Sequence, residues 1–201
     1  MVRMTNLTER DTLPCPLTIT PKVEGKCVWT NTSILEFIPS TSLQGATRYR
    51  LEVIGTAGLL HTLSGSSTSD IMTTPLRVSV SGEFSPLSGI SLMTNVPVNL
   101  DNLSVSTELF LENGTGTENQ GIKIESIITP DKNESGALSE TSFTITPRSQ
   151  SYTYNTNYTV KVHTTLKPKY GTEPLGQEVN GSLHTNDFVW VSAYQNILSA
   201  T

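Results

Sequence analysis

Thr47-Arg48-Tyr49-Arg50-Leu51-Glu52-Val53 is the stretch that decides the fold. Tyr49, Leu51 and Val53 alternate with Arg48, Arg50 and Glu52, a period of two that lines one face of a strand with apolar groups and the other with charge. Ahead of it, Leu35-Glu36-Phe37-Ile38-Pro39 alternates at Leu35 and Phe37 and stops at a proline, which cannot donate to a continuing ladder. Both stretches recur. Phe143-Thr144-Ile145-Thr146-Pro147 answers the proline-ended strand, and Thr156-Asn157-Tyr158-Thr159-Val160-Lys161-Val162 answers the tyrosine strand. This phase predicts that Trp29, Leu35, Phe37, Tyr49, Leu51 and Val53 are buried in the first copy. In the second, Phe143, Ile145, Tyr158, Val160 and Val162 turn inward and Lys161 outward.

Three further matches run in the same order. Met4-Thr5-Asn6 recurs as Met93-Thr94-Asn95, Ile19-Thr20-Pro21 as Ile128-Thr129-Pro130, and Met72-Thr73-Thr74 stands where Leu183-His184-Thr185 stands. The first is separated by 89 residues (93 − 4), the others by 108 to 111 (143 − 35 to 183 − 72). An insertion around FLENGTGTENQG, residues 110–121, accounts for the difference. Collinear matches at nearly one spacing predict two homologous sandwich domains: residues 1–80, and residues 81–188 with an inserted hairpin or loop near 110–121. Residues 189–201 are then a linker or the start of a further element. The connector LRVSVSGEFSPLSG has the Pro, Ser and Gly of a short link.

The 201 residues are enough to bury a core. Hydrophobic residues make up 35% and charged residues 15%, and the uncharged Ser, Thr and Asn that fill the difference suit strands and turns. Nowhere do ten residues show helical spacing with a cap. Thirteen basic residues against 18 acidic ones leave a net charge of −5, the wrong sign for a phosphate backbone, so nucleic acid is not an expected partner. No window approaches the ~18 apolar residues of a membrane span. The abrupt opening in a strand, and the run FVWVSAYQNILSAT after the second copy, suggest an excised piece of a longer chain.

These residues carry a family likeness. The succession of an ITP turn, Gly25-Lys26-Cys27-Val28-Trp29, the strand Leu35 to Pro39 and the tyrosine strand resembles the bacterial Ig-like domains of S-layer and envelope proteins. It is also similar to the macroglobulin-type domains of bacterial alpha-2-macroglobulins. The resemblance covers about residues 1–75 and 86–187 and implies a seven-stranded antiparallel sandwich, used as a module in a long extracytoplasmic chain. The second copy departs from it in having no tryptophan at the Trp29 position and in its insertion. The thioester motif and bait segment of a working protease trap do not occur in these residues.

Cys15 and Cys27 are the only thiols. If Leu17-Thr18-Ile19-Thr20 and Lys26 to Thr30 form a hairpin turning at Lys22 to Gly25, the cysteines lie four residues out of register, ~13 Å apart at ~3.3 Å per residue, beyond the ~7 Å reach of a disulfide. A turn centred on Pro21 would bring them opposite. The alternative to a bridge is two small buried hydrophobes. His61, His163 and His184 lack the partners of a zinc site, although strand pairing could bring His163 and His184 together. Asp131-Lys132-Asn133-Glu134 reads as a solvated turn rather than a calcium loop. The tract from Glu112 to Gly121 is a loop tip able to reach a ligand or neighbour, or else a tolerated insertion at a hairpin end. Asn-x-Ser/Thr sequons stand at Asn6, Asn31, Asn102, Asn113, Asn133, Asn157 and Asn180.

No nucleophile, base and oxyanion donor occur together in either copy, so no catalytic, cofactor or metal residue is assigned. The expected function is a non-catalytic structural or interaction module of an extracytoplasmic bacterial protein, with an alpha-2-macroglobulin-like protease trap as a candidate parent. Its partners are then adjacent domains of the same chain, or another protein. The alternative is a pair of accessory Ig-like domains from a trimmed cell-surface hydrolase.

Overall fold

A computed structural model describes residues 15–31, 34–53, 67–81, 83–84, 86–112, 121–149 and 151–186. Among them the chain is mostly β, with antiparallel sheets and one short helix. Two compact units are present. The first comprises Met1–Arg77, Asn95–Asn99 and Thr164–Gln177; the second comprises Val78–Thr94, Leu100–His163 and Glu178–Thr201. The units are therefore assembled from non-contiguous pieces, unlike the contiguous ranges 1–80 and 81–188 read from the repeat. Residues 189–201 lie outside the described residues.

In the first unit β1 (Leu17–Thr20), β4 (Arg48–Val53) and β5 (Ser67–Met72) form a sheet of order β1-β4-β5, and β2 (Gly25–Trp29) pairs with β3 (Leu35–Pro39). Cys15 and Cys27 are bridged, with their α-carbons 5.5 Å apart. The hairpin between Leu17–Thr20 and the Cys27 strand does not form. Instead β1 runs beside β4, Ile19 opposite Leu51, while Cys27 lies opposite Phe37 in the other sheet. The chain changes sheets between the cysteines, so the in-sheet register that argued against a bridge does not apply, and the disulfide ties the two sheets together.

Burial in this unit is less complete than the alternation predicts. Trp29 and Tyr49 are buried, but Leu35, Phe37, Leu51 and Val53 are only half-buried. Leu35 and Phe37 lie on β3, which among the described residues has a neighbour on one side alone, so they keep contact with water; Leu51 and Val53 lie on β4, between β1 and β5. Phe37 lies across Gly25, where an added Cβ would stand 2.5 Å from the ring.

The second unit has β6 (Val78–Val80), β7 (Glu83–Phe84), β8 (Ile90–Thr94), α1 (Leu100–Ser106), β9 (Thr107–Leu111), β10 (Ile122–Ile124), β11 (Ser126–Lys132), β12 (Leu138–Pro147), β13 (Asn157–Val162) and β14 (Val179–Thr185). One sheet has the order β10-β9-β13-β14-β7 and the other β11-β12-β8-β6, with β14 and β7 the parallel pair. Ile90, Leu92, Phe143 and Ile145 from one sheet and Leu109, Tyr158, Val160, Val162 and Leu183 from the other are buried, the inward phase of two sheets closing on a common core. Tyr152 joins them: its hydroxyl donates to the Ile145 carbonyl at 2.9 Å, and its ring meets Tyr158 edge-on at 5.0 Å. The unanticipated helix α1 is only seven residues long, too short to leave a periodic signal, and carries Asp101 in its first turn, where a negative charge suits the helix dipole.

The corner before each tyrosine strand has the same hydrogen-bond pattern in both units. The Tyr49 hydroxyl accepts from the Gln44 N–H at 3.1 Å, and the Tyr158 hydroxyl from the Thr153 N–H at 2.9 Å. Ala46 (φ 48°) and Asn155 (φ 49°) both adopt the left-handed conformation. Thr73 accepts from the Thr47 N–H at 2.9 Å and donates to the Gln44 carbonyl at 2.7 Å. Thr185 accepts from the Thr156 N–H at 2.9 Å and donates to the Thr153 carbonyl at 2.6 Å. Thr73 thus corresponds to Thr185, one position beyond the match read from sequence. The Ile19/Ile128 match fails: Ile19 belongs to the strand beside β4, whereas Ile128 lies in β11 opposite Ile145. By pairing, Cys27 opposite Phe37 is the counterpart of Ile128 opposite Ile145. The Met4 match lies outside the described residues.

Candidate functional site

The richest polar arrangement stands on the outer face of the five-stranded sheet. Because Leu109, Tyr158, Val160, Val162 and Leu183 take the inward phase, Glu108, Thr159, Lys161, Asn180 and Ser182 are turned outward on adjacent strands. Register places Lys161 between Glu108 and Asn180, and Thr159 between Phe110 and Ser182. His163, just past the end of β13, meets Glu108 Oε2 through Nε2 at 3.0 Å and Glu178 Oε2 through Nδ1 at 3.1 Å. Each carboxylate uses its other oxygen for a lysine: Glu108 for Lys123 at 2.6 Å, Glu178 for Lys161 at 3.1 Å. The Lys123 ammonium, then His163, holds the Glu108 carboxyl below its ordinary range, and Lys161 is the main cause of the same shift at Glu178.

This chain of contacts from Lys123 through Glu108, His163 and Glu178 to Lys161 crosses four strands, and its members satisfy one another. The two glutamates approach opposite nitrogens and so do not converge on a common point. Among the described residues no group of three or more His, Cys, Asp or Glu side chains is placed to hold a metal ion. Farther along the face, Glu112 accepts from the Thr159 and Ser182 hydroxyls.

His184 lies opposite Asn157 and its Nδ1 meets Asn157 Oδ1 at 2.7 Å. His163 follows Val162 at the other end of the same strand, so the two histidines are not brought together. Among the described residues neither ring is hydrogen-bonded to a hydroxyl. His61 lies outside the described residues, as do residues 113–120 of the inserted tract. The flanks of that tract form the antiparallel pair β9/β10, Ile122 opposite Leu111. In the acidic turn Asp131 belongs to β11 and accepts from Ser142 at 2.5 Å and Thr144 at 2.6 Å. Asn133 folds the turn by accepting from Ser135 Oγ and the Ala137 N–H. Asn6 and Asn113 of the sequons lie outside the described residues; Asn31, Asn133, Asn157 and Asn180 are exposed and Asn102 is half-exposed in α1.

Glu108, Lys123 and Glu178 have no local motif to announce them. The one usable signal is the alternation of Thr107-Glu108-Leu109-Phe110, which turns Glu108 to the face opposite Leu109 but identifies its partners only once β13 is known to lie beside it. Among the described residues no helix is long and apolar enough to cross a membrane. No protein-family model matches the chain, and no curated protein matches it.

Proposed function

We propose that the chain is a non-catalytic structural or interaction module: Ig-like sandwiches from a larger extracytoplasmic bacterial protein, whose partners are its neighbouring domains or another protein. The observation that carries this reading is the duplicated corner. Gln44–Tyr49–Thr73 and Thr153–Tyr158–Thr185 repeat the same hydrogen bonds, and a tyrosine hydroxyl returning to backbone a few residues upstream is a device of Ig-like sandwiches. What both copies keep is thus scaffold chemistry. The Cys15–Cys27 bridge supports an oxidising compartment. An alpha-2-macroglobulin-like trap remains the candidate parent.

The purified chain is tested against a panel of proteases and generic ester, glycoside and phosphate substrates. The expected result is no turnover and no stoichiometric protease inhibition. Turnover abolished by replacing one polar residue, such as His163 or Glu108, would overturn the reading in favour of an enzyme. Differential alkylation of the native protein tests the compartment: Cys15 and Cys27 should label only after reduction.

A further inference from the structure

The left-handed corner residue differs between the copies in a way that local preference does not explain. Asn155 is exposed, and asparagine is a residue type enriched in that conformation. Ala46 has the same φ, belongs to a type that disfavours it, and is completely buried. The segment over Ala46 is Thr164–Gln177, which leaves β13 after His163, rejoins β14 through Glu178, and belongs to the first unit.

Within that unit the Thr172 and Glu173 N–H groups both donate to the Ala46 carbonyl, at 3.0 and 2.9 Å. The Arg48 N–H donates to the Thr172 hydroxyl at 3.0 Å, and the Arg48 guanidinium meets Glu173 at 3.4 Å. A Cβ on Gly171 would stand 2.6 Å from the carbonyl oxygens of both Gly45 and Ala46, so glycine is what lets the two backbones approach. The segment also has internal order: Leu166 and Leu175 are buried, and the Leu175 N–H donates to the Leu166 carbonyl at 2.9 Å. Asn95–Asn99 supports it, with the Lys169 N–H donating to the Pro97 carbonyl at 2.7 Å.

We propose that Gly45–Arg48 is a docking surface for the loop Thr164–Gln177, and that this docking is why alanine stands at position 46. The occupant fits by a bifurcated backbone acceptor, a glycine at the closest approach, and an Arg–Glu pair at the rim. A side chain of the length found at Asn155 would fill the space that the loop takes at Ala46. The first unit is accordingly completed by residues of the second sequence repeat, and residues 1–80 do not contain all of it.

The test uses the full chain carrying Ala46→Asn or Gly171→Ala, with amide hydrogen exchange read residue by residue. Ala46→Asn suits the left-handed corner and blocks the loop; Gly171→Ala attacks the same contact and leaves the corner sequence intact. Each should speed exchange at the Thr172 and Glu173 amides by about tenfold or more, while the Gln44 amide, held by Tyr49, stays protected. Both changes together should add little to either alone, because docking is lost only once. Thr172 and Glu173 remaining as protected as in the unaltered chain, in either variant, would overturn the proposal. Should Ala46→Asn also open the Gln44 amide, the Gly171→Ala result decides.

Discussion

Replacing Thr185 by valine, nearly the same shape without the hydroxyl, tests the corner most sharply. Thr185 has no exposed surface, and its hydroxyl accepts from the Thr156 N–H and donates its one proton chiefly to the Thr153 carbonyl at 2.6 Å, with the Thr156 carbonyl a second acceptor at 3.1 Å. The accepted and the donated bond are each worth about 1 kcal/mol net, and leaving the part-buried Thr156 N–H without its partner adds about 1 kcal/mol, so the expected loss is about 3 kcal/mol. Thr73→Val removes the equivalent bonds from a half-exposed site, where water replaces the hydroxyl, and should cost about 1 kcal/mol. A third valine should reverse the sign. Among the described residues the buried Thr107 hydroxyl has no hydrogen-bond partner, so Thr107→Val relieves a desolvated group and should leave stability unchanged or raise it by about 1 kcal/mol. Urea denaturation followed by circular dichroism reads all three through the midpoint and slope. Equal losses for Thr185→Val and Thr73→Val, or a loss above about 1 kcal/mol for Thr107→Val, would refute the reasoning that burial and partner count set these costs.

Reduction of the Cys15–Cys27 bridge, which closes a sequence separation of 12, should destabilise the first unit by about 3 kcal/mol through the freed unfolded chain; thermal unfolding with and without reductant checks it, the buried Trp29 contributing to the emission. Phe37→Ala removes a half-buried ring and should cost about 1 to 2 kcal/mol, less than the ~3 to 5 kcal/mol of a fully buried phenylalanine; a loss at the upper value in urea denaturation would show that the ring is more enclosed than described. Glu108 and Glu178 have folded-state pKa values held below the ordinary 4.5, so their stabilising effect is present above that pH and lost as pH falls through the lowered values. Stability measured across that acidic window should decline less steeply in Glu108→Gln than in the unaltered chain.

The tyrosine strands were legible because one face of each meets the core and the other meets water, which writes a period of two into Arg48–Val53 and Asn157–Val162. Burial depth was not legible, since Phe37 and Ile145 look alike in sequence while one lies at the described edge of a sheet and the other between β11 and β8. The bridge was obscured by a change of sheet between Thr20 and Gly25, for which alternation has no symbol. The polar face was hidden by distance along the chain: His163 meets partners 55 and 15 residues away, and only the pairing of β9, β13 and β14 makes them neighbours. The threonines of the corner were partly visible as a Thr-containing match, but a hydroxyl that serves two backbone groups leaves no mark beyond the residue itself.

The parallel pairing of β7 with β14 also determines how the five-stranded sheet of the second unit carries tension. Glu83 and Phe84 run directly beside His184 and Thr185 of β14, the last strand of that sheet among the described residues. Forces pulling β7 and β14 in opposite directions therefore run along neighbouring, like-directed strands. Their hydrogen bonds are loaded together in shear, whereas an antiparallel hairpin pulled from its open end unzips one rung at a time. Among the described residues two pairs form this contact, so the strength of the β7 attachment rests on a short patch, and cutting its bonds would release β7 from the five-stranded sheet before the pairs deeper in that sheet are strained.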